Sequence, residues 1–172
     1  MDLVGMIRVI PDFPRPGISF KDITPVLKDP VSFKQAVDTL AAKLAGVDFD
    51  LFVSPEARGF MFGAALAYKM SKGFVPVRKA GKLPFECVRG TYKLEYGVDT
   101  LEMHEDAVTA GQRVVVLDDV LATGGTVSAV ADLVERLGGK VAAVAFLIEL
   151  AYIPGRQNLK RYNVVSAISL KS

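Results

Sequence analysis

The chain has 172 residues, of which 51% are hydrophobic and 23% are charged, and its formal net charge is +2 at pH 7. This length and composition are typical of a single globular domain, here residues 1–172, with its own hydrophobic core. So small a net charge argues against a nucleic-acid binder, and the longest unbroken apolar run, residues 141–148, is too short to span a membrane. Cys87 is the only cysteine, so neither an internal disulfide nor a zinc cluster can form, and we expect a cytoplasmic protein.

Helices alternate with short apolar strands along the chain, an order that predicts right-handed βαβ units around a mainly parallel sheet. Asp29 is typical of a helix N-cap and Pro30 of a first helical residue, and an apolar stripe at helical spacing follows them. Further along, the apolar patterns predict a strand at 51–53, a helix at 60–70, and strands at 74–77, 114–117, 141–148 and 164–170.

Cations follow the ends of two predicted strands. The turn at residues 55–59 leads from a strand into a helix, so its backbone N–H groups and Arg58 are expected at the carboxyl edge of the sheet, where ligands of open α/β sheets bind. Arg78, Lys79 and Lys82 follow the next strand and suit an anion at the same edge. The alternatives are that Arg58 is a surface ion-pair partner and that at least one of the other three is a solvated loop side chain.

Residues 87–104 alternate between apolar and polar side chains with a period of two, a pattern that predicts a β-hairpin. Residues 97–99 are expected to form its turn. Its glycines and polar face indicate a projecting lid rather than a part of the core. The pattern alone gives no reason to prefer Glu95 over Glu102 as a functional carboxylate, because both are expected to face solvent.

The most informative stretch is VVVLDDVLATGGT at residues 114–126. A strand typical of a sheet buried on both faces leads into a small-residue turn, and helical spacing begins at Val127 and ends before Gly138. The glycines let backbone N–H groups converge and the threonines add hydroxyl donors, an arrangement that suits a phosphate monoester. The loop lacks the spacing of a nucleoside-triphosphate P-loop and of a dinucleotide fold. The predicted phosphate loop is Ala122, Thr123, Gly124, Gly125 and Thr126.

Asp118 and Asp119 lie at the carboxyl end of this predicted strand. Consecutive strand residues point in different directions, so the pair argues for separate tasks, such as gripping two ribose hydroxyls or water around a metal, rather than for a joint acid–base pair. The alternative is a tight strand-to-helix turn in which one aspartate caps the helix.

The stretch 114–126 resembles the phosphoribosyl pyrophosphate-binding motif of the type I phosphoribosyltransferases. Four further segments resemble, in the same order, the members of that family that act on adenine. They are PDFPRPGISFKDITPVL at 11–27, ARGFMFG at 57–63, VRKAGKLP at 77–84 and LEYG at 94–97. The first and last of these segments narrow the resemblance from the family to its adenine-specific members.

The resemblance implies an α/β fold in which a mainly parallel, twisted sheet is flanked by helices, with a small hood mainly at 11–27 and a hairpin lid at about 87–104. It implies a purine salvage enzyme that transfers the 5-phosphoribosyl group from phosphoribosyl pyrophosphate to adenine, giving AMP and pyrophosphate, with Mg²⁺ held mainly by the substrate and with a homodimer as the assembly. Two alternatives stay open: a transferase for another purine, such as xanthine or hypoxanthine, and a non-catalytic regulator that senses phosphoribosyl pyrophosphate.

The resemblance also implies roles for individual residues. Glu95 matches the catalytic glutamate, which is carried on a mobile loop. Residues 122–126 would bind the 5-phosphate, Asp118 and Asp119 the ribose, and Arg58, Arg78, Lys79 and Lys82 the pyrophosphate. For the last three, the resemblance leaves open whether they act within one chain or across a dimer interface.

Adenine recognition is implied for residues near both ends of the chain. Phe20 and the side chain of Leu150 would sandwich the base, while the backbone of Ser19 and Lys21 reads its edge. As a sequence feature without the resemblance, Phe20 is more often a core phenylalanine.

Overall fold

The computed structural model describes residues 2–93 and 98–171, and the chain divides into two compact units, residues 1–39 and 40–172. In the first unit, strands β1 (Arg8–Ile10) and β2 (Phe20–Asp22) form an antiparallel pair. A short 3₁₀ turn (Val4–Met6) precedes them, and helix α1 (Thr24–Lys28) follows. Helix α2 (Pro30–Leu44) begins in the first unit, and its last five residues belong to the second. A single domain over the whole chain remains a prediction.

The second unit contains a seven-stranded sheet in the order β5-β6-β4-β3-β7-β8-β9. Its elements are β3 (Leu51–Pro55), α3 (Arg58–Met70), β4 (Gly73–Lys79), β5 (Cys87–Lys93), β6 (Val98–His104), β7 (Arg113–Leu121), α4 (Gly125–Arg136), β8 (Lys140–Leu150), α5 (Gly155–Asn158) and β9 (Val164–Leu170). The five strands from β4 to β9 pair in parallel, whereas the hairpin of β5 and β6 adds to the edge at β4 in antiparallel fashion. This sheet confirms the predicted fold class.

The central strands are apolar because the sheet is covered on both faces. All residues of β3 are buried, and residues 114–117 of β7 have no exposed surface. Side chains alternate along β7, so Val114 and Val116 pack in one cluster with Val127, Val130 and Val134 of α4. The strand–turn–helix unit that carries the predicted phosphate loop is therefore fixed on both sides by the core.

The predicted elements are present, and most extend one or two residues beyond the predicted limits. Asp29 caps the start of α2, where its carboxylate accepts a hydrogen bond of 2.7 Å from the backbone N–H of Ser32. Helix α4 ends before Gly138, whose φ of +84° lies in the left-handed region. Strand β7 continues to Leu121, so Asp118 and Asp119 lie within it rather than at its end. The reason is its pairing with β8, which extends to Leu121 opposite Glu149.

The hairpin is confirmed, but the predicted position of its turn and the predicted exposure of its side chains are wrong. Val98 and Asp99, which were expected in the turn, instead pair with Lys93 and Tyr92 as part of β6. Residues 94–97 lie outside the described residues.

The base of the hairpin belongs to the core rather than to a projecting lid. Strand β6 pairs with β4, and Leu101 and Met103 are at most 2% exposed. Glu102, expected to face solvent, is also only 2% exposed. Its carboxylate accepts hydrogen bonds from Arg89 Nε at 2.6 Å and from the backbone N–H of Gly81 at 2.9 Å, which compensate for its burial. Period-two alternation identifies the two faces of a hairpin but does not tell whether the second face is covered.

Candidate active site

The predicted phosphate loop lies between β7 and α4 and lines a cavity of about 70 Å³. All five predicted loop residues contribute to its wall, together with Asp118. Gly124 has a φ of +81°, a conformation that favours glycine, and it lies immediately before the first residue of α4. The cavity therefore combines hydroxyl groups, backbone N–H groups and the positive end of a helix, which is the chemistry expected for binding a phosphate.

Asp118 and Asp119 face different partners, as their consecutive positions predict. Asp118 lines the phosphate cavity, and its Oδ1 accepts a hydrogen bond of 2.8 Å from the backbone N–H of Asp119. Burial, and next the charge of Asp119, raise the pKa of Asp118 well above its ordinary value. Asp119 is 3% exposed, and its Oδ2 lies 2.6 Å from Nε of Arg58 at the start of α3. The two carboxylates therefore have different main contacts, although they also interact with each other through their charges and a side-chain hydrogen bond.

The turn between β3 and α3 is held to β4 by Glu56. The backbone N–H of Glu56 donates to the carbonyl of Val77 at 2.9 Å, and the peptide bond between Glu56 and Ala57 is cis. The Glu56 carboxylate accepts hydrogen bonds from Arg78 Nε at 2.7 Å and from the backbone N–H of Lys79 at 3.0 Å. Desolvation opposes the charge on Glu56, but these two hydrogen bonds together with the charges of Arg78 and Lys82 lower the pKa of the carboxyl below its ordinary value. Glu56 thereby joins the two predicted pyrophosphate segments.

The four predicted pyrophosphate cations differ in their surroundings. Arg58 and Arg78 are paired with buried or nearly buried carboxylates, as described above. The ammonium group of Lys79 lies 3.2 Å from Oδ2 of Asp99 on β6. Lys82 is exposed, and its charge contributes to the lowered pKa of Glu56. Arg58 therefore does form an ion pair, as the alternative interpretation expected. Its partner, however, is the buried Asp119 on β7, the strand that leads into the predicted phosphate loop.

The stem of the hairpin reaches the phosphate loop through Tyr92. The Tyr92 hydroxyl lies 3.4 Å from Oδ2 of Asp99 and also contacts the side chain of Thr126 through a hydrogen bond. A polar chain therefore connects Thr126 to Lys79 through Tyr92 and Asp99. Sequence analysis missed Glu56, Asp99 and Tyr92 as members of the site. Glu56 lies within the turn at 55–59, which was a usable signal, whereas the contact of Asp99 depends on the register of the hairpin.

Glu95, the predicted catalytic carboxylate, lies in residues 94–97 outside the described part of the chain. The described strands reach Lys93 on one side and Val98 on the other, and these two residues pair. The role of Glu95 stays a prediction.

The predicted adenine-binding residues lie in the two separate units. In the first unit, Phe20 belongs to β2 and its ring contacts that of Phe13 edge-on, with centroids 5.2 Å apart. Lys21 is 7% exposed, and its ammonium group donates a hydrogen bond of 3.2 Å to Oγ of Ser19. In the second unit, Leu150 is the last residue of β8 and is 7% exposed.

Within residues 2–93 and 98–171, no group of three or more His, Cys, Asp or Glu side chains is arranged to hold a metal ion. In the same part of the chain, none of the helices has the length and apolar character needed to cross a membrane. Asp118, which lines the phosphate cavity, and its neighbour Asp119 offer oxygen ligands of the type that Mg²⁺ prefers, but two carboxylates are too few for an all-protein site.

The mainly parallel sheet and the glycine-containing loop between β7 and α4 are the structural features that the sequence resemblance implied, and comparison with known proteins gives the family. The chain belongs to the family described as the phosphoribosyl transferase domain, which matches residues 27–171. This membership confirms the resemblance drawn from the sequence.

Within the family, the chain is similar to proteins named adenine phosphoribosyltransferase. The one from Thermosipho africanus is 58% identical over 170 residues, which cover 99% of this chain and 100% of that protein. The crystal structure of the one from Thermoanaerobacter pseudethanolicus matches with a TM-score of 0.96 at 57% identity and covers 98% of both chains. The Saccharomyces cerevisiae enzyme, crystallised with adenine and D-2,5-dideoxy-2,5-imino-altritol 1,6-bisphosphate, matches with a TM-score of 0.90 at 40% identity and covers 96% of both chains.

Proposed function

We propose that this chain is a purine salvage enzyme that transfers the 5-phosphoribosyl group from phosphoribosyl pyrophosphate to adenine, giving AMP and pyrophosphate. The observation that carries the proposal is the phosphate cavity of residues 122–126, with Asp118 in its wall and the cations of two neighbouring strand ends on the same sheet. High identity to adenine phosphoribosyltransferases over nearly the whole chain supports the choice of adenine.

The phosphate loop and the aspartates divide the work on the sugar. The backbone N–H groups and threonine hydroxyls of the loop bind the 5-phosphate, which does not change during the reaction. Asp118 and Asp119 bind the ribose hydroxyls. Departure of pyrophosphate leaves positive charge at the anomeric carbon, and the nearby carboxylates stabilise that charge. A cationic centre also favours the ionised form of Asp118, whose pKa burial otherwise raises.

The cations act on the leaving group. Arg58, Arg78, Lys79 and Lys82 neutralise the negative charge that pyrophosphate gains as the bond breaks. Mg²⁺, held mainly by substrate oxygens with Asp118 and Asp119 as the available protein carboxylates, supplies further charge neutralisation when bound. Arg78 and Lys79 are held by one carboxylate, Glu56, so their positions are coupled before substrate arrives.

The acceptor base must lose a proton as its ring nitrogen attacks. Glu95 accepts that proton, and the hairpin excludes water from the cationic ribosyl centre. Phe20 stacks on adenine, Leu150 contacts the base, and the backbone of Ser19 and Lys21 reads its edge. Backbone recognition makes the identity of the side chains at positions 19 and 21 unimportant for specificity.

A homodimer in the cytoplasm completes the proposal. Met61 and Tyr68 lie seven residues apart on α3 and so share one face, on which they are 39% and 91% exposed. An exposed apolar and aromatic face of this kind supports pairing with a second copy. The single cysteine supports the location in a reducing compartment.

A panel of bases tests the proposed activity. With phosphoribosyl pyrophosphate and Mg²⁺, we expect pyrophosphate release with adenine and little or none with hypoxanthine, guanine, xanthine or orotate. A site that hydrogen-bonds the amino group of adenine leaves buried groups unpaired when a 6-oxo base replaces it, a penalty that reaches about 10⁴ in selectivity. Comparable turnover of hypoxanthine would show that the assignment to adenine is wrong while the transferase class holds. Binding of phosphoribosyl pyrophosphate without any turnover would instead favour the regulator.

A further inference from the structure

The segment that follows β8 packs against the back of the phosphate loop. A Cβ on Gly155, the first residue of α5, would lie 1.9 Å from the carbonyl oxygen of Ala122, so only glycine allows this approach. On the same side of the loop, a Cβ on Gly124 would lie 3.2 Å from the carbonyl oxygen of Gly155 and from Cγ of Leu159. Leu159 has no exposed surface. The loop and this segment are therefore in backbone contact along residues 122–124.

One side chain of the segment forms a hydrogen bond with the loop. Nδ2 of Asn158 donates to the carbonyl oxygen of Thr123 at 2.9 Å. In a trans peptide unit the N–H points away from the C=O of the same unit, and the unit is rigid. A hydrogen bond that fixes the carbonyl of Thr123 toward α5 therefore directs the N–H of Gly124 to the opposite side. That N–H belongs to a residue that lines the phosphate cavity.

The segment is itself anchored to the sheet by Arg156. Its guanidinium group forms two hydrogen bonds with the carboxylate of Glu149 on β8, at 2.7 and 2.6 Å, and one with the carbonyl of Val164 on β9 at 3.1 Å. Glu149 is 8% exposed and also accepts a hydrogen bond of 2.7 Å from Ser166. The hydrogen bonds from Arg156 lower the pKa of Glu149 despite its burial, so the pair stays ionised at neutral pH. Asn158 thus approaches the loop from a rigid support.

We infer that Asn158 is a positioning residue for the 5-phosphate. It does not contact the substrate but orients the peptide between Thr123 and Gly124 so that the N–H of Gly124 points into the phosphate cavity. The inference rests on the proposed function, because it assumes that residues 122–126 bind the 5-phosphate. Its consequence is a loss of binding rather than of chemistry when the hydrogen bond is removed, since the phosphate is bound equally in the ground state and the transition state.

Two amide side chains on the same helical turn provide a matched experiment. Asn158→Ala removes the hydrogen bond, and Asn158→Asp replaces its donor by a charged acceptor that repels the carbonyl of Thr123. Gln157→Glu is the control, because Gln157 is an exposed neighbour and makes the same exchange of amide for carboxylate. The measurements are the Kd of AMP by calorimetry, the KM of phosphoribosyl pyrophosphate, kcat and Tm.

We expect Asn158→Ala to weaken AMP binding and to raise the KM by the same factor, about three- to tenfold for one neutral hydrogen bond, with kcat within about twofold of the wild type. Asn158→Asp should weaken binding further, and Gln157→Glu should match the wild type. A fall in Tm with an unchanged Kd for AMP would overturn the inference, and so would a loss of kcat without a change in KM. Failure of the wild-type protein to bind AMP would instead contradict the proposed function.

Discussion

Three of the cations assigned to pyrophosphate have carboxylate partners on neighbouring elements. Arg58 pairs with Asp119, Arg78 with Glu56, and Lys79 with Asp99. Long cationic side chains lose rotamer freedom when they bind an anion, and pairing restricts that freedom in advance. The carboxylates therefore hold the cationic side chains in place near the carboxyl ends of the strands, but they also reduce the net positive charge available to bind pyrophosphate.

The raised pKa of Asp118 predicts how its replacement changes stability and activity. Burial, and next the neighbouring Asp119, raise its pKa, so its ionised form is disfavoured in the folded protein relative to the unfolded chain. At low pH, Asp118 is protonated in both the folded and the unfolded protein, and its burial does not reduce the stability through ionisation. As the pH rises above the ordinary pKa of 3.8 toward the raised folded pKa, ionisation in the unfolded chain lowers the free energy of unfolding. We expect Asp118→Asn to raise Tm relative to the wild type by an amount that grows with pH over that window. We also expect a fall in kcat of about ten- to a hundredfold, because a charge near the ribosyl centre is removed.

Asp119→Asn serves as the comparison in thermal unfolding and steady-state kinetics. It should lower kcat as well but without a gain in Tm, because it removes the partner that lies 2.6 Å from Arg58. Full kcat in both variants would show that the aspartates have no electrostatic role. A Tm difference for Asp118→Asn that does not vary with pH would contradict the cost of burying its charge.

Among the elements, the hairpin has two parts with different surroundings. Its base pairs with β4 and buries Leu101 and Met103, while Tyr92 and Asp99 on the stem contact the phosphate loop and Lys79. The base is thus fixed by the core, whereas Glu95, the predicted catalytic group, lies outside the described residues.

Glu95→Gln tests the catalytic part of the hairpin. The substitution preserves the shape of the side chain and removes the base, so kcat should fall by about 10² or more while the affinity for phosphoribosyl pyrophosphate changes little. Single-turnover and steady-state kinetics measure both quantities. A hairpin that acts only as a solvent shield predicts near-normal kcat for this variant.

The control must lose the same charge from an exposed position next to the hairpin without disturbing the fold. Glu102 is unsuitable because it is buried and accepts hydrogen bonds from Arg89 and Gly81. Glu105 follows directly after β6 and is exposed, and the nearby Glu86 raises its pKa through a shared hydrogen bond and repulsion. Glu105→Gln should therefore retain kcat. Equal losses in Glu95→Gln and Glu105→Gln would contradict a specific role for Glu95.

We expect the whole protein to be a homodimer that pairs through the exposed face of α3. Light scattering should give twice the mass of a single chain for the wild type. Tyr68→Glu places a charge on the exposed face of α3 and should shift the mass to that of one chain, with little effect on the fold because the side chain is 91% exposed. Val31→Glu, at an apolar position of α2 that is 57% exposed, is the control and should remain dimeric. A wild-type protein with the mass of one chain would rule out the dimer, and a dimeric Tyr68→Glu would exclude this face.

Local pattern was enough to predict a mainly parallel α/β sheet and the phosphate loop, whereas the family came from the resemblance of five sequence segments. Strands β3, β7 and β8 contain continuous apolar runs at 51–53, 114–117 and 141–148 because both faces of the sheet are covered, and such runs are visible without tertiary information. The loop 122–126 depends on glycine conformation and on the start of α4, both of which are local properties. The divergence of Asp118 and Asp119 follows from the geometry of a strand.

Only the tertiary structure decided which groups support the site. Asn158 and Thr123 are 35 positions apart, Glu56 and Arg78 are 22 apart, and Arg58 and Asp119 meet across two elements of the sheet unit. No pattern of neighbouring residues encodes such contacts, because they arise when distant backbone segments pack together. The burial of Glu102 was not predicted either: alternation assigned it to a face of the hairpin, but only the structure shows that the side chain is buried and that its carboxylate accepts hydrogen bonds from Arg89 and Gly81.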